Sequence, residues 1–382
     1  MKAPILLSAP VFDGREHEYI QKALNTGFIA TNGSFIPKFE RKLASRLKTH
    51  QVSVVNSGTS ALHLSLILAG VSKGDEVICQ SFTFCASANP ILYLGAVPIF
   101  VDSEAETWNI CPEILEDTIL SRLSKGKKPK AVVVVDLFGM PSKYEDILKI
   151  ANRYGITVIE DAAEAVGSTY HGRPCGVFGN IGVFSFNGNK IITTGGGGAI
   201  VSSDTEVLAK AKFLSMQARE DFHYYEHNEV GYNYRMNNMA AGIGLAQIDK
   251  LDQKISKRRS IFQRYQEMLG NCNGISFLEE PDGVFCNRWL TNILIDEEVT
   301  GFSNDDIRKR LLEMKIESRF LWKPLHMQPV FLDFPYYGGN VCSSLFYKGL
   351  CLPSSENLSL DEQEMIVKVI LKQYKVKRSI RI

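Results

Sequence analysis

Ile181-Gly182-Val183-Phe184-Ser185-Phe186-Asn187-Gly188-Asn189-Lys190 runs on into Ile191-Ile192-Thr193-Thr194 and four glycines, Gly195 to Gly198. The apolar start reads as a buried strand, and Lys190 falls just past its end. In α/β proteins ligands gather at the carboxyl ends of the strands. A lysine held there, partly out of water, can lose its proton near neutral pH and attack an aldehyde. A solvated loop lysine beside a mobile glycine turn is the plainer alternative. This segment alone leaves both open.

Working outward, β-rich runs alternate with helical ones from about residue 50 to residue 205. Strands are expected at 51–56, 76–80, 97–101, 130–137, 156–160, 181–186 and 199–202, with helices at 57–69, 86–93, 112–123 and 143–154. Strands that stay apolar along most of their length predict a mostly parallel central sheet flanked by helices on both faces. An extended arm and a helix at 14–24 precede it. After it come helices at 206–216 and 304–315, one long helical stretch over 238–269, a strand at 289–295 and a last helix at 360–373. The expected organisation is a large α/β domain over 1–250 and a smaller C-terminal α+β domain over 251–382.

The 43 basic and 42 acidic side chains leave a net charge of +1. That balance gives no global pull toward nucleic acid or an anionic membrane. The basic tail of Lys372, Lys375, Lys377, Arg378 and Arg381 reads as a solvated end. None of the eight cysteines forms a C-x-x-C pair, so no metal site is expected, and their scatter suits a reducing compartment. The N-terminal apolar run is too short for a signal peptide, and no stretch of about 20 apolar residues would cross a membrane. A cytoplasmic location is the expectation.

Four short constellations sit at predicted strand ends or just before a helix. Asn56-Ser57-Gly58-Thr59-Ser60 opens a helix with small residues, which suits a phosphate on the helix N-terminus or simply a serine cap. In Glu160-Asp161-Ala162-Ala163-Glu164, Asp161 either pairs with a protonated ring nitrogen or caps a helix. Phe84 either stacks on a flat ring or belongs to the core. Gly231-Tyr232-Asn233-Tyr234-Arg235 is a tyrosine-rich polar loop before the long helix. Each has a plain reading. Phosphate turn, aromatic stacker, ring-nitrogen carboxylate and Schiff-base lysine, in that order, make up a complete pyridoxal phosphate (PLP) site.

Nearly end to end, the chain resembles the DegT/DnrJ/StrS family of nucleotide-sugar aminotransferases, which have the fold-type I architecture of PLP-dependent transferases. The shared landmarks are Gly33, Phe39-Glu40, Ser57-Gly58-Thr59, Gly74-Asp75-Glu76-Val77, Thr83-Phe84, Gly95-Ala96-Val97-Pro98, Glu160-Asp161-Ala162-Ala163, Gly176-Val177-Phe178-Gly179, Ser185-Phe186 with Lys190, Gly231 to Arg235, Trp322, Pro324 with His326, and Leu352-Pro353. The resemblance implies that Lys190 forms the Schiff base and moves the proton. It implies that Gly58, Thr59, Ser60 and Ser185 hold the phosphate, that Asp161 meets the ring nitrogen and that Phe84 stacks on the ring. Asn233 would reach the phosphate in a neighbouring subunit, which implies a homodimer with the active site at the subunit interface. Arg235, Trp322 and His326 would face the sugar. Two positions depart from the family. Many relatives read Gly-Glu-Gly-Gly where this chain has four glycines, which predicts extra flexibility. Many carry Gln or His at Glu164, able to donate to the cofactor's ring oxygen, as an ionised Glu is not.

The implied reaction moves an amino group from glutamate, through PLP and its pyridoxamine form, to the C4 ketone of a nucleotide-linked 4-keto-6-deoxy sugar. The stretches from Glu226 to Asn233 and from Asn287 to Leu290 most resemble the branch acting on UDP-linked acetamido sugars. A C3-keto acceptor is the alternative within the family. A non-catalytic PLP-binding regulator is the alternative outside it, although no segment is left over for a DNA-binding module. A nicotinamide enzyme would need G-x-G-x-x-G after its first strand, where this chain has Ser-Gly-Thr-Ser.

Overall fold

The computed structural model describes residues 4–49 and 51–380, without side chains over 375–380. Arg381 and the side chains of Lys375, Lys377 and Arg378 therefore lie outside the described residues. The central sheet has eight strands. In chain order the first five are β1 (Val52–Val55), β2 (Glu76–Gln80), β3 (Val97–Val101), β4 (Ala131–Val135) and β5 (Thr157–Asp161). Across the sheet the order is β1, Gly198–Val201, Ile181–Ser185, β5, β4, β2, β3 and Tyr336–Tyr337. Gly198–Val201 runs antiparallel to both its neighbours, and the other strands share one direction. Val77, Cys79, Val133, Ile159 and Val183 pack into the core on one face. Ile78, Ile99, Val132, Val134 and Val158 pack on the other. Burial on both faces is why the strands read as unbroken apolar runs.

Under the sheet lies a pair of buried acids. Glu160 accepts the backbone N–H groups of Phe178 (2.6 Å), Gly179 (3.0 Å) and Gly176. The loop from Gly176 to Gly179 is thus wound around one carboxylate. Gly176 has φ +91°, and a Cβ there would stand 2.1 Å from the Phe184 ring. Asp136 Oδ1 accepts from Ser142 N–H (3.0 Å) and Tyr144 O–H (2.7 Å), while Oδ2 has no donor of its own. Burial, then the Glu160 charge, push the Asp136 carboxyl well above its ordinary range. Burial also pushes Glu160 up, but the three N–H groups oppose it. Burial and the neighbouring charge thus favour the protonated form of Asp136, beside Glu160, whose three N–H partners favour its ionised form.

Before residue 270 two helical regions differ from the expected pattern, and after it Val341–Lys348 is a helix that was not foreseen. Phe35–Leu47, which the sequence reading left as arm, is a helix burying Phe35, Ile36, Phe39, Leu43 and Leu47. Pro37 lies in its first turn, where a missing N–H costs nothing. The stretch expected as one helix over 238–269 is two, Asn238–Ile248 and Leu251–Leu269. The first is buried almost all round, and its Gly244 lies where a Cβ would stand 2.6 Å from the Phe39 ring. The second has a polar face.

After residue 270 the strands Ile275–Phe277, Thr291–Ile295, Gly349–Leu352 and Arg319–Phe320 form an antiparallel sheet in that order. Asn304–Glu313 and Leu360–Ile380 pack with it in a separate apolar cluster. Tyr336–Tyr337 leaves this region to join the edge of the large sheet beside β3. The N-terminal arm crosses the same region. Leu7 N–H donates to Glu317 (2.9 Å), Ser354 N–H donates to the Leu7 carbonyl (2.8 Å) and Ala9 N–H to Ser355 Oγ (2.6 Å). No helix among the described residues is long and apolar enough to cross a membrane.

The acid pair makes a stability prediction. Glu160→Ala strips three N–H groups of their acceptor and is expected to cost about 3 kcal/mol. Asp136→Asn keeps a donor toward Glu160 and is expected to cost less than about 1 kcal/mol. Urea unfolding of both variants beside the parent chain measures the difference.

Candidate active site

A cavity of about 440 Å³ opens where β1, β2, β5 and Ile181–Ser185 end. One wall is the start of the helix Gly58–Leu68. Ser57 caps it, its hydroxyl accepting the Ser60 N–H (3.0 Å). A Cβ on Gly58 would stand 2.9 Å from Ser185 Cβ, and one on Gly198 would stand 2.6 Å from the Ser57 carbonyl carbon. The two glycines let the helix begin directly against the strand ends. Its first N–H groups have no intrahelical acceptor and carry the positive end of the helix dipole, which suits a phosphate. Thr59 and Ser185 add hydroxyls to the cavity wall.

Asp161, the last residue of β5, is buried. Its Oδ2 accepts from Ser87 Oγ–H (2.7 Å), and Ser87 Oγ lies 3.0 Å from Thr83 Oγ1. Burial pushes the Asp161 carboxyl up, while Ser87, the Ala163 N–H and the Lys190 charge pull it down. Glu164 is buried too, with Oε1 3.2 Å from Lys190 Nζ and Oε2 accepting the Phe138 N–H (2.6 Å). Lys190 Nζ also sits 4.1 Å from the centre of the Trp289 ring. Its neighbour Asn189 offers a carbonyl that accepts from both Ser8 Oγ–H and Trp289 Nε1–H, each at 2.7 Å.

Phe84 is 49% exposed on the cavity wall, with its ring 5.1 Å from that of Trp322. That exposure sets aside the core reading. Trp322 Nε1 and Asn189 Oδ1 are buried without a protein partner, although both residues line the cavity. Orphaned polar atoms beside a helix N-terminus, two carboxylates, a lysine and a bare aromatic face fit a flat, phosphorylated aldehyde such as PLP.

The fold brings Gly58, Thr59, Phe84, Asp161, Glu164, Ser185, Lys190 and Trp322 to one cavity. Four expected residues are not among its lining. Ser60 turns its hydroxyl to Asn56 Oδ1 (2.7 Å). Asn233 is exposed on the surface. Arg235 is buried against Glu40 (2.7 Å), the Val54 carbonyl (3.0 Å) and Ser53 (3.3 Å). His326 stacks on Tyr336, ring centres 3.7 Å apart, with Nδ1 2.7 Å from Ser81 Oγ. The lining also includes Ser57, Ser87, Trp289 and Arg319, which the motif reading did not assign. Ser57 lies within the turn read as a phosphate site or serine cap, without a role of its own, and Ser87 lies just past Thr83-Phe84. Trp289 and Arg319 come from the C-terminal part; Trp289 lies in the stretch Asn287 to Leu290 read only as a branch signature, and Arg319 carries no local signal.

The four glycines are explained by space more than by flexibility. Gly195 has φ +81°, while Cβ atoms on Gly197 and Gly198 would stand 2.2 Å from Thr194 Oγ1 and 2.6 Å from Ser57. At Gly196 the nearest atom to a Cβ is 3.6 Å away, an ordinary contact. A Cβ on Gly195 would meet nothing within 4 Å, so only its left-handed backbone asks for glycine there, and Gly196 alone of the four has both the room and an ordinary backbone for a side chain.

This lysine-centred site on a mostly parallel sheet defines an aminotransferase that works with pyridoxal phosphate. The chain belongs to the DegT/DnrJ/EryC1/StrS aminotransferase family, whose sequence pattern matches residues 10–371. It is 48% identical over 375 residues to EpsN of Bacillus subtilis (strain 168), assigned as a pyridoxal phosphate-dependent aminotransferase, with 97% of this chain and 96% of that one covered. It is 37% identical over 353 residues to the GDP-perosamine synthase of Escherichia coli O157:H7, covering 92% and 94%. Among solved structures it is similar to Helicobacter pylori PseC, an aminotransferase involved in the biosynthesis of pseudoaminic acid. The TM-score is 0.89 at 26% identity, over 98% of this chain and all of that one.

Ser87→Ala removes the donor that favours ionised Asp161. The Asp161 carboxyl should then rise further, so that on acidification PLP binding fails at a higher pH than in the parent chain. Affinity at neutral pH is expected to fall about tenfold. Fluorescence titration with PLP across pH tests both.

Proposed function

We propose that this aminotransferase moves an amino group from glutamate to the C4 ketone of a nucleotide-linked 4-keto-6-deoxy sugar, giving a 4-amino sugar for polysaccharide or glycan synthesis in the cytoplasm. The observation that carries this reading is Lys190 Nζ, held in the cavity between Glu164 and the Trp289 ring with Asp161 nearby. Bound PLP supplies an aldehyde for the lysine and an electron sink for the reacting carbon. The N-terminus of Gly58–Leu68, with Thr59 and Ser185, holds the phosphate. With PLP bound, Asp161 would hold the proton on the ring nitrogen and Phe84 would cover one ring face. Lys190 Nζ lifts the proton from the donor's α-carbon and later delivers one to the sugar carbon.

Arg319 is the one guanidinium among the described residues lining the cavity, and Trp322 stands beside it there. Together they suit an anionic substrate, through the donor's carboxylate or the sugar's diphosphate. Arg235 and His326 act one step back. Arg235 ties the end of β1 to Glu40, and His326 braces Ser81 past the end of β2. Asn233, exposed on the surface, would reach the phosphate held in a second subunit. Exposed Phe12, Phe28, Ile29, Tyr225 and Val230 supply apolar surface for such a homodimer.

UDP is the nucleotide that the stretches from Glu226 to Asn233 and from Asn287 to Leu290 favour. GDP is the second reading, favoured by the 37% identity to a GDP-perosamine synthase. The test adds PLP, then glutamate, then UDP- and GDP-linked 4-keto-6-deoxy sugars, with the aminated carbon located by NMR. Amination at C4 of the UDP sugar is expected, and turnover of the GDP sugar alone would establish the second reading. Lys190→Ala should lower the rate by about a thousandfold or more and abolish the visible absorbance that PLP gains on binding. Full transfer by that variant would overturn the role of Lys190.

A further inference from the structure

Several contacts fix Glu164 in place. Asn287 Nδ2–H donates to the Glu164 carbonyl (2.8 Å). The Phe138 N–H reaches one carboxylate oxygen from a backbone with φ +57°, a conformation rare outside glycine. Gly139 follows with φ +86°, and a Cβ there would stand 2.0 Å from Asn287 Oδ1. A strained turn thus holds Oε2 and leaves Oε1 3.2 Å from Lys190 Nζ, with only 5% of the Glu164 side chain and 14% of the Lys190 side chain exposed.

Asp161 is the other carboxylate facing Lys190, and the Cys351 thiol also faces Glu164. Burial pushes the Glu164 carboxyl up, Lys190 and the Phe138 N–H draw it down, and Asp161 adds to the rise. The opposing pulls come from the contacts that an ionised Glu164 makes. Asp161 is already engaged by Ser87 and the Ala163 N–H. Glu164 alone of the two carboxylates is hydrogen-bonded to the lysine nitrogen.

We propose that Glu164 is the counter-ion that keeps the Lys190 nitrogen protonated once that nitrogen is bonded to the cofactor's carbonyl carbon, and so sets the alkaline limit at which that carbon stays electrophilic. A carboxylate at hydrogen-bond distance in a cavity shielded from water favours the charged nitrogen. A neutral amide at the same place supplies a dipole but no net charge. The protonated nitrogen draws electrons from the carbon and prepares it for the donor's amine. The inference rests on Lys190 being the residue that bonds PLP.

The test is an absorbance titration of the PLP-loaded protein from neutral to alkaline pH. In the parent chain the visible band should persist well into the alkaline range. In Glu164→Gln the half-loss point should move toward acid by about tenfold in proton concentration. Glu164→Ala should move the same way, and added formate should restore it by replacing the missing carboxylate. A Glu164→Gln protein that titrates like the parent, or a Glu164→Ala protein whose shifted titration formate leaves unchanged, overturns the counter-ion role. If the parent chain gains no visible band with PLP, the assignment of Lys190 fails instead, so the two failures are told apart.

Discussion

The site depends on one steric constraint, the approach of the helix Gly58–Leu68 to the strand ends. Its first turn lies against Ser185 and Gly198 at separations that a β-carbon on Gly58 or Gly198 would violate. That contact aims the helix dipole into the cavity. It also fixes the distance between an anion on the helix and the lysine five residues beyond Ser185. The antiparallel strand Gly198–Val201 makes the contact possible. It lies between β1 and Ile181–Ser185 and brings the glycine segment under the helix. The remaining side chains of the site, Asp161 and Phe84 included, hang from neighbouring strand ends and inherit this geometry.

A second layer decides how the charges behave. Glu160 and Asp161 are adjacent in one strand and point to opposite faces. Glu160 is anchored by three backbone N–H groups, so β5 has little freedom to rotate where Asp161 leaves it. Ser87 then orients the Asp161 carboxylate itself. A negative charge in a buried place survives only with such donors around it.

Seven strands of the large sheet were legible because both faces are covered, which turns them into mostly apolar runs; the eighth, Tyr336–Tyr337, is a two-residue edge strand with no such run and was not foreseen. Lys190 and Asp161 were legible because strand ends in such a sheet gather ligands. Arg235 shows how one gap in the reading causes another. Beside Asn233 it looked like a substrate cation, but its partner Glu40 sits on Phe35–Leu47, a helix the sequence reading left as arm. Without that helix, nothing in the sequence said the arginine was taken. Arg319 was silent for a different reason, and Trp289 was read only as part of a branch signature. Both reach the cavity through the packing of the C-terminal sheet against the large one, and no local spacing records that.

The N-terminal arm has a consequence for how the protein is made. Ser8 holds the Asn189 carbonyl next to the reactive lysine, while Leu7 and Ala9 bond to Ser354 and Ser355. Leu7, Ser8 and Ala9 are synthesised well before Trp289, Ser354 and Ser355. The arm therefore has no complete docking place until the strand Gly349–Leu352 and the two serines after it have been made. The Asn189 carbonyl beside Lys190 likewise gains its second donor only once Trp289 is in place.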